Sequence, residues 1–295
     1  MLLRHIRYFL AVAEHRNFTR AATVLHVSQP ALSQQIKQLE ASLGVRLFDR
    51  SAKDIALTDA GAAWMDHAKL CLQHIQAGAR AIQDVGALNR GVLRCAAPPT
   101  FTPYLIGSLI DRFHGLHPGV AVSFLEIAQE QIEALLAADE LDLGIGFRPV
   151  QAAVIEGTVL YEETLSVVVS KDHGSAARSA PLSPAALSAE PLVLLNRAFA
   201  TRQHIDAYCA LHDIVPQLAV EVNSIGALLE IVRRGKLATV LPDQVTAVHG
   251  ELLALPLLLP MPSREVFLLQ RKGAYRSAAS IALVQLLHTL AFDIE

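Results

Sequence analysis

Apolar positions in residues 1–44 recur every three or four residues, with no strict alternation, which predicts helices. Ile6, Phe9, Leu10 and Ala13 make one stripe, Ala21, Ala22 and Leu25 a second, and Leu32, Ile36, Leu39 and Leu43 a third. Only His26-Val27-Ser28 separates the last two. Ser28 suits an N-cap, Pro30 a first turn, and Gly44 the left-handed residue that ends a helix. Two short apolar pieces, Val45 to Phe48 and Ile55 to Leu57, then flank Asp49 to Asp54. They predict a small hairpin whose basic tip carries Arg50 and Lys53. Thr58 to Leu88 holds no proline and as one helix would be about 45 Å long. Trp64, Ala68, Cys71, Ile75, Ala79 and Ile82 form a heptad-like seam along it, for which a second copy of the helix is the expected partner.

From Gly91 strands and helices alternate. Strands are predicted at Val92 to Ala97, Val120 to Ile127 and Leu141 to Phe147, with helices at Pro103 to Leu116 and Gln129 to Ala138. Near-continuous apolar runs suggest a buried parallel sheet. Val159 to Ser170 reads as a strand pair or one long strand, and Ser175 to Pro184 as a loop. The alternation restarts at Leu192 and ends in an amphipathic helix, Ser277 to Phe292. The expected organisation is a helical domain with a small hairpin at 1–58, a long helix at 59–90, and an α/β two-lobed domain at 91–295. Residues 91–160 are too few to stand alone, so 266–295 should pack back onto lobe one, leaving 161–265 as lobe two.

The net charge of −3 conceals an asymmetry. Residues 1–60 carry eight Lys/Arg against five Asp/Glu, and the remainder 17 against 23. A basic small end on an acidic body points to a polyanion partner at that end alone. Three well-separated cysteines, Cys71, Cys95 and Cys209, give no disulfide framework and fit a reducing compartment. The apolar run Tyr8 to Ala13 is too short for a secretory core, so a cytoplasmic protein is expected.

The second helix of the pair offers Ser28, Gln29, Pro30, Ser33, Gln34 and Lys37 on one side, opposite Leu32, Ile36 and Leu39, with Thr19 opening the helix before it. Gln can bond adenine bidentately, Ser can reach bases or phosphates, Pro can touch a thymine methyl, and Lys suits phosphate. The bland alternative is an ordinary polar surface helix. The segments Phe18 to Ala22, His26 to Ile36, Leu39-Glu40, Leu43 to Val45, Leu47 to Arg50 and Leu57 to Gly61 closely resemble the LysR-type transcriptional regulators. Leu141 to Ile145 extends the resemblance into the later domain. It implies a winged helix-turn-helix reading an interrupted dyad in double-stranded DNA, a dimerising linker, and a two-lobed effector domain of periplasmic-binding-protein type. It also implies a homodimer or homotetramer, an activator role and contact with RNA polymerase. Many members carry Arg where this chain has Gln34, and Gly-Arg near Ala52-Lys53; Lys reads a narrow minor groove less well than Arg. Further segments, among them Pro99 to Thr102 and Phe199 to Arg202, are most similar to the branch that controls cyanate-degradation operons.

In parallel α/β lobes, ligands bind beyond the carboxyl ends of strands, where helix N-termini favour anions. Thr100, Thr102, Gln129, Thr201 and Asn223 fall at such ends. Together they suit a small anion such as cyanate held by neutral donors, although each alone could be a helix cap. His67, Cys71 and His74 share a helix face with ligand spacing, but the dimer seam explains them as well, so no metal is expected. No nucleophile elbow, phosphate loop or dinucleotide fingerprint is present. A non-enzymatic regulator without a cofactor is expected, against the alternative of a solute-binding protein or enzyme on the same two-lobed fold.

Overall fold

The computed structural model describes residues 1–49, 55–84, 91–178 and 180–292. The chain forms two compact units, Met1–Gln83 and Asp84–Glu295. In the first, α1 (Leu3–His15), α2 (Phe18–Val24) and α3 (Gln29–Leu43) precede a two-stranded hairpin, β1 (Phe48–Asp49) and β2 (Ala56–Leu57), and then α4 (Asp59–Asp84). Phe9, Val12, Ala21, Leu32, Ile36 and Leu39 are wholly buried, and the Phe48 ring sits 5.2 Å from that of Phe9. Ser28 caps α3 through the Ala31 N–H at 3.4 Å, and Gly44 ends it at φ +71°. Glu40 ties the wing to α3 by accepting the N–H groups of Leu47 and Phe48 at 2.9 and 3.2 Å. Thr58 donates to the Arg46 carbonyl at 2.7 Å and accepts the Gly61 N–H at 3.0 Å, so one hydroxyl both anchors the wing and caps α4.

The seam on α4 is divided. Ala68 is fully buried, and Trp64, Met65 and Cys71 pack against the core of the first unit. The expectation that the whole stripe waits for a second copy is therefore corrected for its first half. Ile75 and Ile82 are 44% and 76% exposed, so the apolar surface needing cover lies in the second half.

The second unit contains β3 (Gly91–Ala97), α5 (Gly107–Leu116), β4 (Val120–Glu126), α6 (Gln129–Ala137), β5 (Leu143–Phe147), β6 (Ile155–Glu163) and β7 (Leu165–Ser170). It continues with α7 (Pro184–Ala189), β8 (Pro191–Leu195), α8 (Ala200–Leu211), β9 (Gln217–Val222), α9 (Ile225–Arg233) and β10 (Thr239–Pro242). The last elements are α10 (Gln244–Val248), β11 (Leu252–Leu255), β12 (Arg264–Arg271) and α11 (Ala278–Phe292). The helix expected at Pro103 to Leu116 starts earlier, as a 3-10 turn (Pro99–Phe101) and a π-helical turn (Thr102–Ile106) leading into α5.

Lobe one is a five-stranded sheet in the order β4-β3-β5-β12-β6. β3 pairs in parallel with β4 and β5, whereas β12 runs antiparallel to β5 and β6. Lobe two carries an antiparallel sheet, β10-β7-β11, and a parallel pair, β8-β9. The wholly parallel reading is thus corrected to mixed sheets: a continuous apolar run reports burial on both faces, not strand direction. The apolar stretch from Val159 to Ser170 is cut at Thr164, the single residue between β6 in one sheet and β7 in the other. The chain returns through residues 256–263 into β12, which enters lobe one between β5 and β6.

Candidate functional site

On the first unit, Thr19, Ser28, Gln29, Pro30, Gln34 and Lys37 are exposed and Ser33 is half-buried. Pro30, Ser33, Gln34 and Lys37 stand at i, i+3, i+4 and i+7, on the side of α3 away from the buried Leu32, Ile36 and Leu39. The neighbouring Gln35 is committed within the fold, to His5 at 3.0 Å and to Gln38 at 3.1 Å. A rigid helix with a free polar N-terminal face, braced by a wing, is the geometry that enters a major groove. Arg50 and Lys53, the expected wing contacts, lie outside the described residues.

On the second unit, a cavity of about 350 Å³ opens between the lobes. Lobe one supplies Pro98 to Thr100, Glu126 to Gln131 and Phe147 to Pro149; lobe two supplies Ala198 to Ala200 and Gln203. The helices α6 and α8 begin at its wall, at Gln129 and Ala200, which brings two sets of helix-terminal N–H groups to it.

Residues 3–62 match the family described as bacterial regulatory helix-turn-helix protein, lysR family, and residues 86–291 match the LysR substrate binding domain. The chain belongs to the LysR family of transcriptional regulators. The hydrogen peroxide-inducible genes activator of Dickeya chrysanthemi is 28% identical over 277 residues, covering 93% of this chain and 90% of that protein. The Hca operon transcriptional activator HcaR of Escherichia coli K12 is 30% identical over 294 residues, covering 97% of each. A full-length point variant of OxyR from Pseudomonas aeruginosa superposes with a TM-score of 0.68 at 29% identity, covering 97% of this chain and 94% of that one. None of these three is a regulator of a cyanate-degradation operon.

Within this LysR regulator the five expected effector donors fare differently. Thr100 is 3% exposed and lines the cavity; its hydroxyl holds no hydrogen bond among the described residues. Gln129 also lines it, but its amide is consumed: the oxygen accepts the Phe147 N–H at 2.7 Å, and the nitrogen donates to the Phe147 carbonyl at 2.7 Å and to Glu133 at 3.0 Å. It clamps the end of β5 to α6 rather than awaiting a ligand. Thr102 hydrogen-bonds Glu126 and faces a separate shallow depression with Ile106 and Ile110. Thr201 is buried away from the cavity and accepts a hydrogen bond from Arg264 at 3.0 Å. Asn223 is exposed beyond β9 and lies outside the cavity wall. Helical periodicity accounts for the contrast between Ala200, on the cavity wall, and Thr201, behind it: in a helix, the first-turn residue that faces a cleft and the one beneath it are adjacent in sequence.

The wall also carries charged side chains, Glu126, Glu130, Glu133 and Arg148. Glu133 accepts the backbone N–H groups of Gln151 and Ala152, both at 2.8 Å, and Glu126 is engaged by Thr102. Arg148 stands at the rim, 3.6 Å from Glu265, with a largely exposed side chain. Arg202, a cation close in sequence to Thr201, is committed to Asp206, Glu221 and the Leu195 carbonyl, each at 2.8 Å.

Behind the Phe147 wall lies a buried polar cluster. Glu163, 1% exposed, accepts hydrogen bonds from Tyr104 and from Arg264, whose Nε is 2.7 Å away. Tyr104 and Tyr161 hydroxyls are 2.9 Å apart. Burial first, and the Glu163 charge second, push both phenols far above their ordinary range, so they remain neutral partners. The Arg264 guanidinium stacks 3.9 Å from the Phe147 ring centroid. Burial and then Arg264 lower the pKa of His204, which suits a neutral ring whose Nε2–H donates to the Pro262 carbonyl at 2.9 Å.

Cys95 is buried, and burial followed by Asp142 pushes its thiol up to about 12. Burial also raises Cys209. Among the described residues no group of three or more His, Cys, Asp or Glu is placed to hold a metal, and no helix is long and apolar enough to cross a membrane.

Proposed function

We propose that this LysR regulator reads an interrupted dyad operator with α3 of each subunit, and that a small anion bound between the lobes sets its activity, with cyanate the first compound to test. In this reading residues 1–58 bind DNA, 59–90 associate subunits, 91–295 bind the effector, and the protein acts in the cytoplasm as an activator that contacts RNA polymerase. The observation that carries the effector assignment is Thr100, a buried residue whose hydroxyl holds no hydrogen bond among the described residues and which lines a cavity where two helices begin. Neutral donors and helix N-termini suit an anion; of the carboxylates in the wall, Glu126 and Glu133 hold donors of their own, and Glu130 is exposed to solvent. A thermal-shift titration with sodium cyanate, nitrate and acetate tests this. Bound ligand stabilises by about 2.7 kcal/mol at a hundredfold excess over Kd, and Thr100→Val is expected to weaken the response about tenfold. Identical titrations for wild type and Thr100→Val would refute the pocket.

A peroxide-responsive reading is suggested by the name of the Dickeya relative. The thiolate is the form that attacks peroxide, and in this chain Cys95 and Cys209 are buried with raised pKa values. Peptide mapping after hydrogen peroxide treatment is therefore expected to show Cys95 and Cys209 unoxidised; rapid oxidation of either would favour that second reading.

On DNA, Gln29→Ala and Ser33→Ala are each expected to cost about 1–3 kcal/mol of operator affinity and little on random DNA. Lys37→Ala should weaken both and reduce the salt slope by about 1. Equal losses on both DNAs for Gln29→Ala would remove it as a base reader. One helix-turn-helix reads few base pairs, so useful specificity needs two. Exposed Ile75 and Ile82 offer the seam, and Ile75→Asp should dissociate subunits by burying a charge. Sedimentation at micromolar concentration checks this: an unchanged oligomer would move the interface elsewhere.

A further inference from the structure

The cavity of about 350 Å³ is far larger than a triatomic ion, which fills no more than about two waters' worth, ~60 Å³. An anion of that size leaves most of the cavity unfilled, and a change in the angle of the lobes would bring more of both walls to it. The lobes share apolar packing, with Tyr104 and Leu105 of lobe one in one buried cluster with Leu241 and Val245 of lobe two. Two chain crossings join the lobes: Thr164 between β6 and β7, and residues 256–263 leading into β12. Glu163 and Arg264 are register partners at the end of the lobe-one sheet, beside both crossings. Arg264 reaches from there to Thr201 in the first turn of α8, a lobe-two helix, at 3.0 Å. The same helix is fixed to the return crossing by His204 on the Pro262 carbonyl and Tyr208 on the Leu259 carbonyl, at 2.9 and 2.6 Å. The residue before Thr201, Ala200, lines the cavity, as does Phe147, on which Arg264 stacks.

We propose that the Thr201–Arg264 hydrogen bond is an interlobe latch: held in place by Glu163, it sets the resting angle of the lobes, and an occupant of the cleft acts on it through Ala200 and Phe147. The inference rests on the cleft being the effector site, but not on cyanate being the effector. Thr201 and Arg264 are positioning residues; neither needs to touch the ligand. A ligand shifts the lobes only by its differential affinity for two angles, and the latch contributes to the free-energy difference that it must overcome. The mechanism is a hinge motion carried by a bond between named groups rather than a diffuse pathway.

The test uses the full chain. Hydrogen exchange without ligand is compared for wild type, Thr201→Val, which keeps the shape and loses the acceptor, and Thr201→Ser, which keeps it. Thr201→Val is expected to raise exchange about fivefold both in residues 200–203 and in residues 264–266, that is, on both sides of the latch, while Thr201→Ser stays at the wild-type rate. Acceleration confined to α8, no acceleration, or equal behaviour of the Val and Ser variants would each overturn the latch. A sodium cyanate titration is run beside it. If wild type responds, the Thr201→Val midpoint should move at least threefold, and an unmoved midpoint would count against the latch. If wild type does not respond, cyanate fails as the effector while the exchange comparison still decides the latch.

Discussion

Replacing Arg264 with Leu is expected to destabilise the effector unit by about 3–5 kcal/mol, because it leaves a buried carboxylate without its cation. Glu163 is 1% exposed and Arg264 is its charged partner, with an Nε–Oε1 distance of 2.7 Å. The Tyr104 hydroxyl remains after the change, but a neutral donor cannot compensate a buried charge. The change also removes the cation stacked on Phe147 and the donor to Thr201. For a unit of this size the loss corresponds to roughly 6–20 °C in melting temperature. The companion Glu163→Leu/Arg264→Leu variant should recover most of it, since a buried pair replaced by apolar residues is often near neutral. Thermal unfolding of the full chain, following the transition of the effector unit, decides the matter. A single Arg264→Leu variant melting within about 2 °C of wild type would show that Glu163 is not the buried charge described.

Gly61→Ala is expected to abolish high-affinity operator binding and to destabilise the first unit by about 1–3 kcal/mol or more. Helix propensity alone predicts the opposite, since Ala is favoured over Gly by about 1 kcal/mol inside a helix. The sign is decided by contact: a Cβ at position 61 would stand 2.0 Å from the Leu47 carbonyl oxygen. That oxygen accepts the Thr58 N–H at 3.0 Å, and the obstacle is backbone, so the wing strand must shift. The shift also breaks the Thr58 bond to the Arg46 carbonyl and the Glu40 clamp on Leu47 and Phe48. Gly78 on the same helix meets nothing within 4 Å of its own chain, so Gly78→Ala is a matched control for melting of the first unit and should be neutral or slightly stabilising there; it lies on the Ile75–Ile82 face and is no control for operator binding. Electrophoretic mobility shift of Gly61→Ala with the operator and thermal melting of both variants separate the two outcomes. Operator affinity retained in Gly61→Ala would show that the wing does not depend on this contact.

What the sequence determined by itself is local. Ser28, Pro30 and Gly44 mark the ends of the recognition helix because capping and left-handed backbone are properties of a few adjacent residues. The 3.6-residue stripe placed Leu32, Ile36 and Leu39 inward and Gln29, Gln34 and Lys37 outward without any tertiary information. The restart of strand–helix alternation at Leu192, and the return of the C-terminal stretch to lobe one, follow from domain size and pattern. The short elements α7, α10 and β11 were not legible, because four to six residues hold too few periods to separate helix from strand. Only tertiary structure decided which hydroxyl meets the cavity. Thr100 and Thr201 carry the same chemistry at equivalent strand ends, but one faces the cleft and the other meets Arg264, 63 residues away in sequence. The buried Glu163–Arg264 pair was equally hidden, being 101 residues apart. A contact between distant residues is fixed by strand order and register, and an apolar run specifies neither.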